Sequence, residues 1–367
     1  MCLIAGAIAI GWILTIPFRS RPLPEPPVIL TQEAMSPPTI ETSENLVDRQ
    51  SEPTFTYNIK TPPNPVYSQE LQGIVDEAAK IATSKGLPAE PLSISLLDVS
   101  NSQNHSSFAG YQNQTLRFPA SVAKLFWMAA FYSATEKGTI SQKESAFKDD
   151  LEQMIRVSNN DAASRLLDKI TDTQSGGQLA GEELQTWLKK RNQINTFFQS
   201  AGYNDIRITT KNYPIYYLKQ EQPIGRDLQL RGDPSQPIRN QATTDQAARL
   251  IYEIYTRQAV SSTASRKMAY LLTRDLDPKA WKNDPSNSIA GFLGESLPTN
   301  IYFGSKVGYT STSRSEAAFV RTLDDRAIYI LVVFADDPAY AKDETVFPAI
   351  SRYVFDRLNA RGPSSSQ

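Results

Sequence analysis

Strand-like segments fall in two groups far apart in the chain, and this separation limits the folds available. Leu92 to Val99 reads as a strand with Phe108 to Tyr111 as its hairpin partner, joined by a polar turn from Ser100 to Ser107. The second group is Ile301 to Val307, Glu316 to Thr322 and Ala327 to Phe334. Between the groups, from the apolar run after Ser121 to about Leu272, the periodicity is almost all helical, including Lys148 to Ile170, Gly181 to Ala201 and Thr244 to Arg257. Ser68 can cap an opening helix whose apolar positions are Leu71, Ile74, Val75, Ala78 and Ile81, with Gly86 closing it. A last helix runs from about Asp343 to Leu358. The order helix, strands, helices, strands, helix predicts an α+β fold: an antiparallel sheet built from both ends of the domain, flanked by terminal helices, with an inserted all-helical subdomain.

Composition narrows the chemistry. The chain has 367 residues, 40% of them hydrophobic, enough to bury a substantial core and, by length, about two domains. A net charge of -1 provides no field for nucleic acid. The single histidine, His105, lies in the polar run Asn101 to Ser107 and reads as a solvated turn residue; the single cysteine, Cys2, lies near the start. No zinc site and no thiol/imidazole pair can be assembled from them, and no metal or cofactor is expected. A Ser-His-Asp hydrolase would have to use His105, near which no orienting carboxylate stands. If the chain carries a nucleophile, lysine is the natural base.

Residues 1–18 are an apolar run at the short end of what spans a bilayer, read as a membrane anchor or signal segment. No small-x-small cleavage site follows, which favours an anchor. By the positive-inside rule Arg19 and Arg21 would leave the bulk of the chain in the cytoplasm; a start placed too far downstream, lacking a basic leader, reconciles an anchor with a catalytic domain on the periplasmic, extracytoplasmic side of the envelope. Residues 19–66, rich in Pro, Ser, Thr and Glu, read as a disordered linker. Residues 67–361 are the expected folded domain and 362–367 a disordered tail.

Within Arg117-Phe118-Pro119-Ala120-Ser121-Val122-Ala123-Lys124, a Ser and a Lys three residues apart open a helix. The amine can reach the hydroxyl on one face, and free N–H groups of the first turn lie beside that oxygen. A buried lysine of lowered pKa can activate a serine. The run Ser158-Asn159-Asn160 breaks an apolar helical pattern with three polar side chains, as an N-cap also would. Gly304-Ser305-Lys306-Val307-Gly308-Tyr309 ends a strand, where Lys306 fits an edge position equally well.

In this order the three stretches resemble the Ser-x-x-Lys, Ser-x-Asn and Lys-Thr-Gly set of the serine β-lactamases and penicillin-binding proteins. Thr243-Thr244-Asp245-Gln246-Ala247-Ala248 resembles the helix start after the Ω loop of the class A branch. Ala290-Gly291-Phe292-Leu293 with Leu297-Pro298 resembles the approach to the third motif. The similarity covers about residues 67–359. It implies Ser121 as the acylated nucleophile, Lys124 as proton acceptor, Ser158 as proton relay to the leaving nitrogen, and Asn160 as partner of Lys124 and of the substrate amide. Lys306 would supply positive charge, and the backbone N–H groups of Ser121 and Tyr309 an oxyanion hole beside Gly308. Thr310, Ser311 and Arg314 are the implied partners of a substrate carboxylate.

Three departures stand out. Val307 replaces the usual hydroxyl of the third motif, and Asn159 stands where Asp is usual. The stretch from Asn204 to Gln241 contains no Glu-x-x-Leu-Asn: Tyr213 falls where the family's water-activating Glu is expected, and Glu221, the only Glu there, reads as a solvated loop residue. Three functions remain open: a serine hydrolase of β-lactams with slow deacylation, a D,D-peptidase-like enzyme acting on cell-wall peptides, and a non-catalytic penicillin-binding sensor domain. The expected partners are a small β-lactam or a cell-wall peptide and, through the N-terminal segment, a membrane, with the chain acting as a monomer.

Overall fold

One six-stranded sheet organises the molecule, in the order β1-β3-β2-β6-β5-β4. The computed structural model describes residues 25–27, 57, 59, 62–100 and 106–361. In chain order the elements are β1 (Val66–Tyr67), α1 (Gln69–Ser84), β2 (Leu92–Asp98), β3 (Ser107–Tyr111), α2 (Ala123–Glu136), α3 (Lys148–Arg156), α4 (Asn160–Thr171) and α5 (Gly181–Gln199). They continue with α6 (Gly225–Arg231), α7 (Thr244–Tyr255), α8 (Ser262–Leu272), α9 (Pro278–Trp281), β4 (Ile301–Thr310), β5 (Ser313–Thr322), β6 (Ile328–Ala335), α10 (Pro338–Lys342) and α11 (Val346–Asn359). The two distant strand groups join where β2 pairs antiparallel with β6, Leu92 opposite Ala335 through Asp98 opposite Tyr329. The expected α+β architecture is therefore present. The short β1, parallel to β3, is the exception to an antiparallel sheet.

Local signals behave as their chemistry requires. The Ser68 hydroxyl accepts the Leu71 N–H at the start of α1, and Thr243 with Gln246 forms a reciprocal capping box on α7. The expected helix from Lys148 to Ile170 is two helices. Asn159 caps the second by accepting the Ala162 N–H at 2.9 Å, and Ser158, at φ +58°, makes the turn between them.

Apolar side chains collect on both faces of the sheet. On one face Phe319, Ile330, Val332 and Phe334 meet α2, α4, α5, α7 and α8; on the other Val320, Leu331 and Val333 meet α1 and α11. Helix α2 is buried on every side, from Ala123 through Ala134, as an all-round apolar helix must be. Its Trp127, Phe126 and Phe131 are fully buried, each worth about 1.5–3 kcal/mol of burial, and the Trp127 indole donates to Ile208 O at 2.8 Å. This packing fixes the helix whose first turn carries Ser121.

The N-terminal segment 1–18, the tail 362–367 and His105 lie outside the described residues, as does most of the 19–66 stretch. At Tyr57 the linker reading needs correction. Its ring is 3% exposed, packs edge-on against Phe197 and Tyr203, and its hydroxyl donates to the buried Glu253 of α7. Ile59 also packs on this core, and the Arg257 guanidinium donates to Pro26 O at 3.2 Å. One aromatic ring with a buried acceptor is enough to hold a segment whose average composition cannot fold.

Candidate active site

Ser121 sits in a single 3-10 turn, Ala120–Val122, that leads into α2. Ala120 adopts φ +46°, a left-handed conformation that costs a non-glycine residue about 1 kcal/mol or more and persists only where packing imposes it. The imposing neighbour is β4. A Cβ on Gly308 would stand 2.5 Å from Pro119 O and 2.9 Å from the Ser121 nitrogen. Only glycine lets the strand backbone approach the nucleophile's turn so closely.

Lys124, one turn after Ser121, is fully buried. Its amine donates to Asn160 Oδ1 at 2.7 Å, to Ser158 Oγ at 3.4 Å and to the Ser158 carbonyl. Lys306, also fully buried, reaches the same hydroxyl from the sheet side, donating to Ser158 Oγ at 2.8 Å and to Val307 O at 2.7 Å. Ser158 thus joins two amines, one from the helical subdomain and one from the sheet. Burial brings Lys124 down to about 7. Lys306 is pushed well below the ordinary lysine value by burial, then by the neighbouring charges of Lys124 and Arg274. Near neutrality the pair can therefore hold an amine without its extra proton, the form in which lysine accepts one from a serine hydroxyl.

Two further buried groups complete the surroundings. The Arg274 guanidinium donates to Arg156 O, Ile155 O and Ser305 O. Glu316, on β5, is fully buried, accepts the Leu293 N–H at 2.6 Å and is raised by burial to about 7. Neither stood out as functional in the sequence. The signal was available for Glu316, the one charged residue in the otherwise small or apolar run from Ser315 to Val320.

Lys124, Ser158, Asn160 and Lys306 are thus joined by hydrogen bonds, with Ser121 one turn before Lys124 but, among the described residues, bonded to none of these side chains, Gly308 against its turn and Tyr309, 55% exposed, next along the strand. The residues proposed for a substrate carboxylate stand differently. Thr310 and Ser311 lie where β4 turns into β5, and the Thr310 hydroxyl bonds to that of Ser313 at 2.9 Å. Arg314 corrects the expectation outright: its guanidinium donates to Gly291 O, Tyr340 O and Ala341 O. Val307, where a hydroxyl is usual, packs in the apolar cluster with α1 and α11.

The segment between α5 and α7 supplies the neighbour of the nucleophile. Asn212 Nδ2 donates to Ser121 Oγ at 3.4 Å. Its own Oδ1 lies 3.5 Å from Asn240 Nδ2, and Asn240 is pinned by Thr210 N–H and hydroxyl at 3.0 and 2.9 Å. Tyr213 turns away, its ring 5.9 Å from the Arg231 guanidinium in a buried ionic cluster of Asp168, Arg191, Lys211 and Asp227. Glu221 is exposed beyond the small turn closed by Ile215 and Gln220. Among the described residues no carboxylate hydrogen-bonds to Ser121, to Lys124 or to Asn212. The polar side chain nearest the Ser121 hydroxyl from this segment is an amide.

Similar solved structures share the whole fold. The β-lactamase of Sphaerobacter thermophilus DSM 20745 is 16% identical, with 79% of this chain and 99% of that one covered at a TM-score of 0.54. The structure of PBP-A is 14% identical, covering 82% and 100% at 0.54. A single-site mutant of the class A β-lactamase of the last common ancestor of Gram-negative bacteria is 18% identical, covering 79% and 100% at 0.51. No curated protein sequence matches the chain. The profile of the β-lactamase enzyme family matches residues 75–358, and with that span and this fold the chain belongs to the β-lactamase enzyme family.

Proposed function

We propose that the protein is a serine hydrolase that is acylated on Ser121 by β-lactams and releases the acyl group slowly. The observation that carries this reading is the buried amine of Lys124, one helical turn after Ser121, meeting the buried amine of Lys306 at Ser158, while the Ser121 hydroxyl has an amide as its neighbour. The neutral Lys124 amine takes the Ser121 proton as Oγ attacks the β-lactam carbonyl carbon. The Ser121 and Tyr309 N–H groups hold the resulting oxyanion, an arrangement worth roughly 3–4 kcal/mol per donor. When the C–N bond breaks, Ser158 passes a proton from the lysine pair to the departing nitrogen, and Lys306 faces the substrate's carboxylate, whose arrival returns positive charge to that amine. An ester on Ser121 results. Its hydrolysis needs a base to take a proton from water, and Asn212 cannot act as one.

That same amide favours a second reading, a D,D-peptidase-like enzyme acting on cell-wall peptides and trapped by penicillin. The PBP-A structures include a mutant described as an acyl-enzyme complex with penicillin G, which suits a penicillin-trapped serine in this fold. Mass spectrometry of the full chain with penicillin over time tests both: an adduct that decays supports β-lactam hydrolysis, one that persists supports the peptidase, and none leaves only a sensor domain. The anchor at residues 1–18 and an extracytoplasmic domain acting as a monomer belong to the same proposal, tested by membrane fractionation and protease access. Among the described residues no helix is long and apolar enough to cross a membrane.

A further inference from the structure

A cavity of about 930 Å3 lies between α4, α5 and the segment from Tyr217 to Arg226, within the roughly 300–1,000 Å3 range of small-molecule sites. Its charged lining sorts by what is already paired. Arg165 pairs with Asp150 at 2.5 Å, Lys190 with Asp172 at 2.6 Å, and Asp168 with Arg191 at 2.7 Å and with Lys211. Lys169, Arg226, Glu182 and Glu183 line the same cavity, and none of them has an ion pair among the described residues. An occupant of one sign would leave two of these charges unmatched. One that carries both an ammonium and a carboxylate meets all four, with Arg226 suited to the carboxylate. Arg226 is fixed where two loops meet: its Nε donates to Gly177 O at 3.1 Å, and a Cβ on Gly225 would stand 1.9 Å from Gly176 O.

The lining also reaches towards the nucleophile. Asp168, its side chain 14% exposed, and Ser175 both line the cavity and both accept from the Lys211 amine, Ser175 Oγ at 2.7 Å. Lys211 precedes Asn212, whose amide donates to Ser121 Oγ at 3.4 Å. A second arrangement of this cluster lies within reach. Arg191 stands 2.7 Å from Asp168 and 3.7 Å from Asp227, and neither Asp227 oxygen has a hydrogen-bond partner among the described residues. An ammonium that draws on Asp168 leaves Arg191 that second acceptor to move to, and a ligand that favours one arrangement shifts the population of both. We infer that this cavity is a binding site for a short peptide with free amino and carboxyl ends, and that its occupant reaches Ser121 through Asp168, Lys211 and Asn212. Glu182, Glu183 and Asp168 meet the amine; Lys169 and Arg226 meet the carboxylate.

The test is a titration of the full 15N-labelled chain with trialanine, followed by NMR and by calorimetry. Saturable binding is expected, with the Asn212 side-chain amide signal moving as the site fills. N-acetyl-trialanine amide, which lacks both charges, is expected to bind about tenfold more weakly. Glu182 and Glu183 are exposed on the first turn of α5, so the double variant Glu182→Gln, Glu183→Gln keeps the fold; it and Lys169→Met should each weaken trialanine by about three- to fivefold. No saturable binding overturns the inference, as does equal affinity for the capped peptide. Unchanged affinity in the double variant places the peptide outside the cavity and overturns it too, and saturation that leaves the Asn212 signal in place removes the link to Ser121. None of these readouts uses acylation, so a chain that penicillin never labels ends the acyl-serine reading while the titration still decides this one.

Discussion

The cleft has two walls of different character. The wall made by α2, the α3–α4 turn and β4 joins Lys124, Ser158, Asn160 and Lys306 through side chains that bond to one another, and Ser121 lies on the turn that leads into α2. The wall made by residues 204–241 offers the Ser121 hydroxyl one hydrogen bond, from the Asn212 amide at 3.4 Å, and its Lys211 and Asp227 join an ionic cluster with Asp168 and Arg191. On the proposed reading the first wall supplies the groups that form an ester, and the second supplies no base to hydrolyse it. Chemistry that needs several groups within one hydrogen bond of each other depends on packed elements, whereas a water-activating group needs only one loop side chain. One substitution on that loop can therefore decide between turnover and trapping.

The comparison breaks completely if the first wall is not the acylating one. Ser121→Ala is expected to abolish penicillin labelling, and Lys124→Ala to lower it by at least about 10³, each with an unchanged melting profile as the check on folding. Labelling of equal yield on Ser121→Ala would end the proposal.

The next largest effect concerns what holds the second wall. Asp168 pairs with Arg191 at 2.7 Å and with the Lys211 amine, the residue before Asn212. Asp168→Ala leaves two buried cations short of an acid and is expected to cost about 3–5 kcal/mol in denaturant titration. It should also lengthen or lose the Asn212 contact with Ser121. A loss under about 1 kcal/mol would mean that this cluster is not what fixes the loop.

Asn212→Asp sharpens the contrast directly, because it places a carboxylate beside Ser121 without changing the loop's size. Deacylation is expected to accelerate by about 10², seen as a shortened adduct lifetime in mass spectrometry. An unchanged lifetime would show that a base at this position is not what the site lacks. The smallest expected effect is at Glu221, which lies exposed beyond a turn. Glu221→Gln should leave both adduct yield and lifetime as they are, and a measurable slowing of decay would restore Glu221 as the base.

What could be read from the sequence divides along the same line. The two strand groups and the Ser68 and Thr243 caps are local patterns with local causes, and the structure places them as expected; Ser121 and Lys124 lie at the start of α2, where the amine bonds to Asn160 and Ser158 rather than to the Ser121 hydroxyl. Ser158-Asn159-Asn160 carried two readings, a cap and a site: Asn159 caps α4, and Ser158 and Asn160 accept hydrogen bonds from Lys124. Arg314 misled because residue type alone does not show that three carbonyls from the segments around Gly291 and Tyr340 converge on it. Asn212 was passed over because an asparagine in a loop has no periodicity, and only the fold brings it to a serine 91 positions earlier. Helices α6, α8, α9 and α10 are short, and their apolar faces are completed by contacts distant in sequence.

The burial of Tyr57 bears on the mechanics of any attachment at the N-terminus. A polymer fastened to a body at two points, here Pro26 against Arg257 and Tyr57 against Glu253, acts as a strap rather than a leash. Both contacts fall on α7 and the turn after it, at Glu253 and Arg257, so a pull arriving from before Pro26 would reach the domain at that one place.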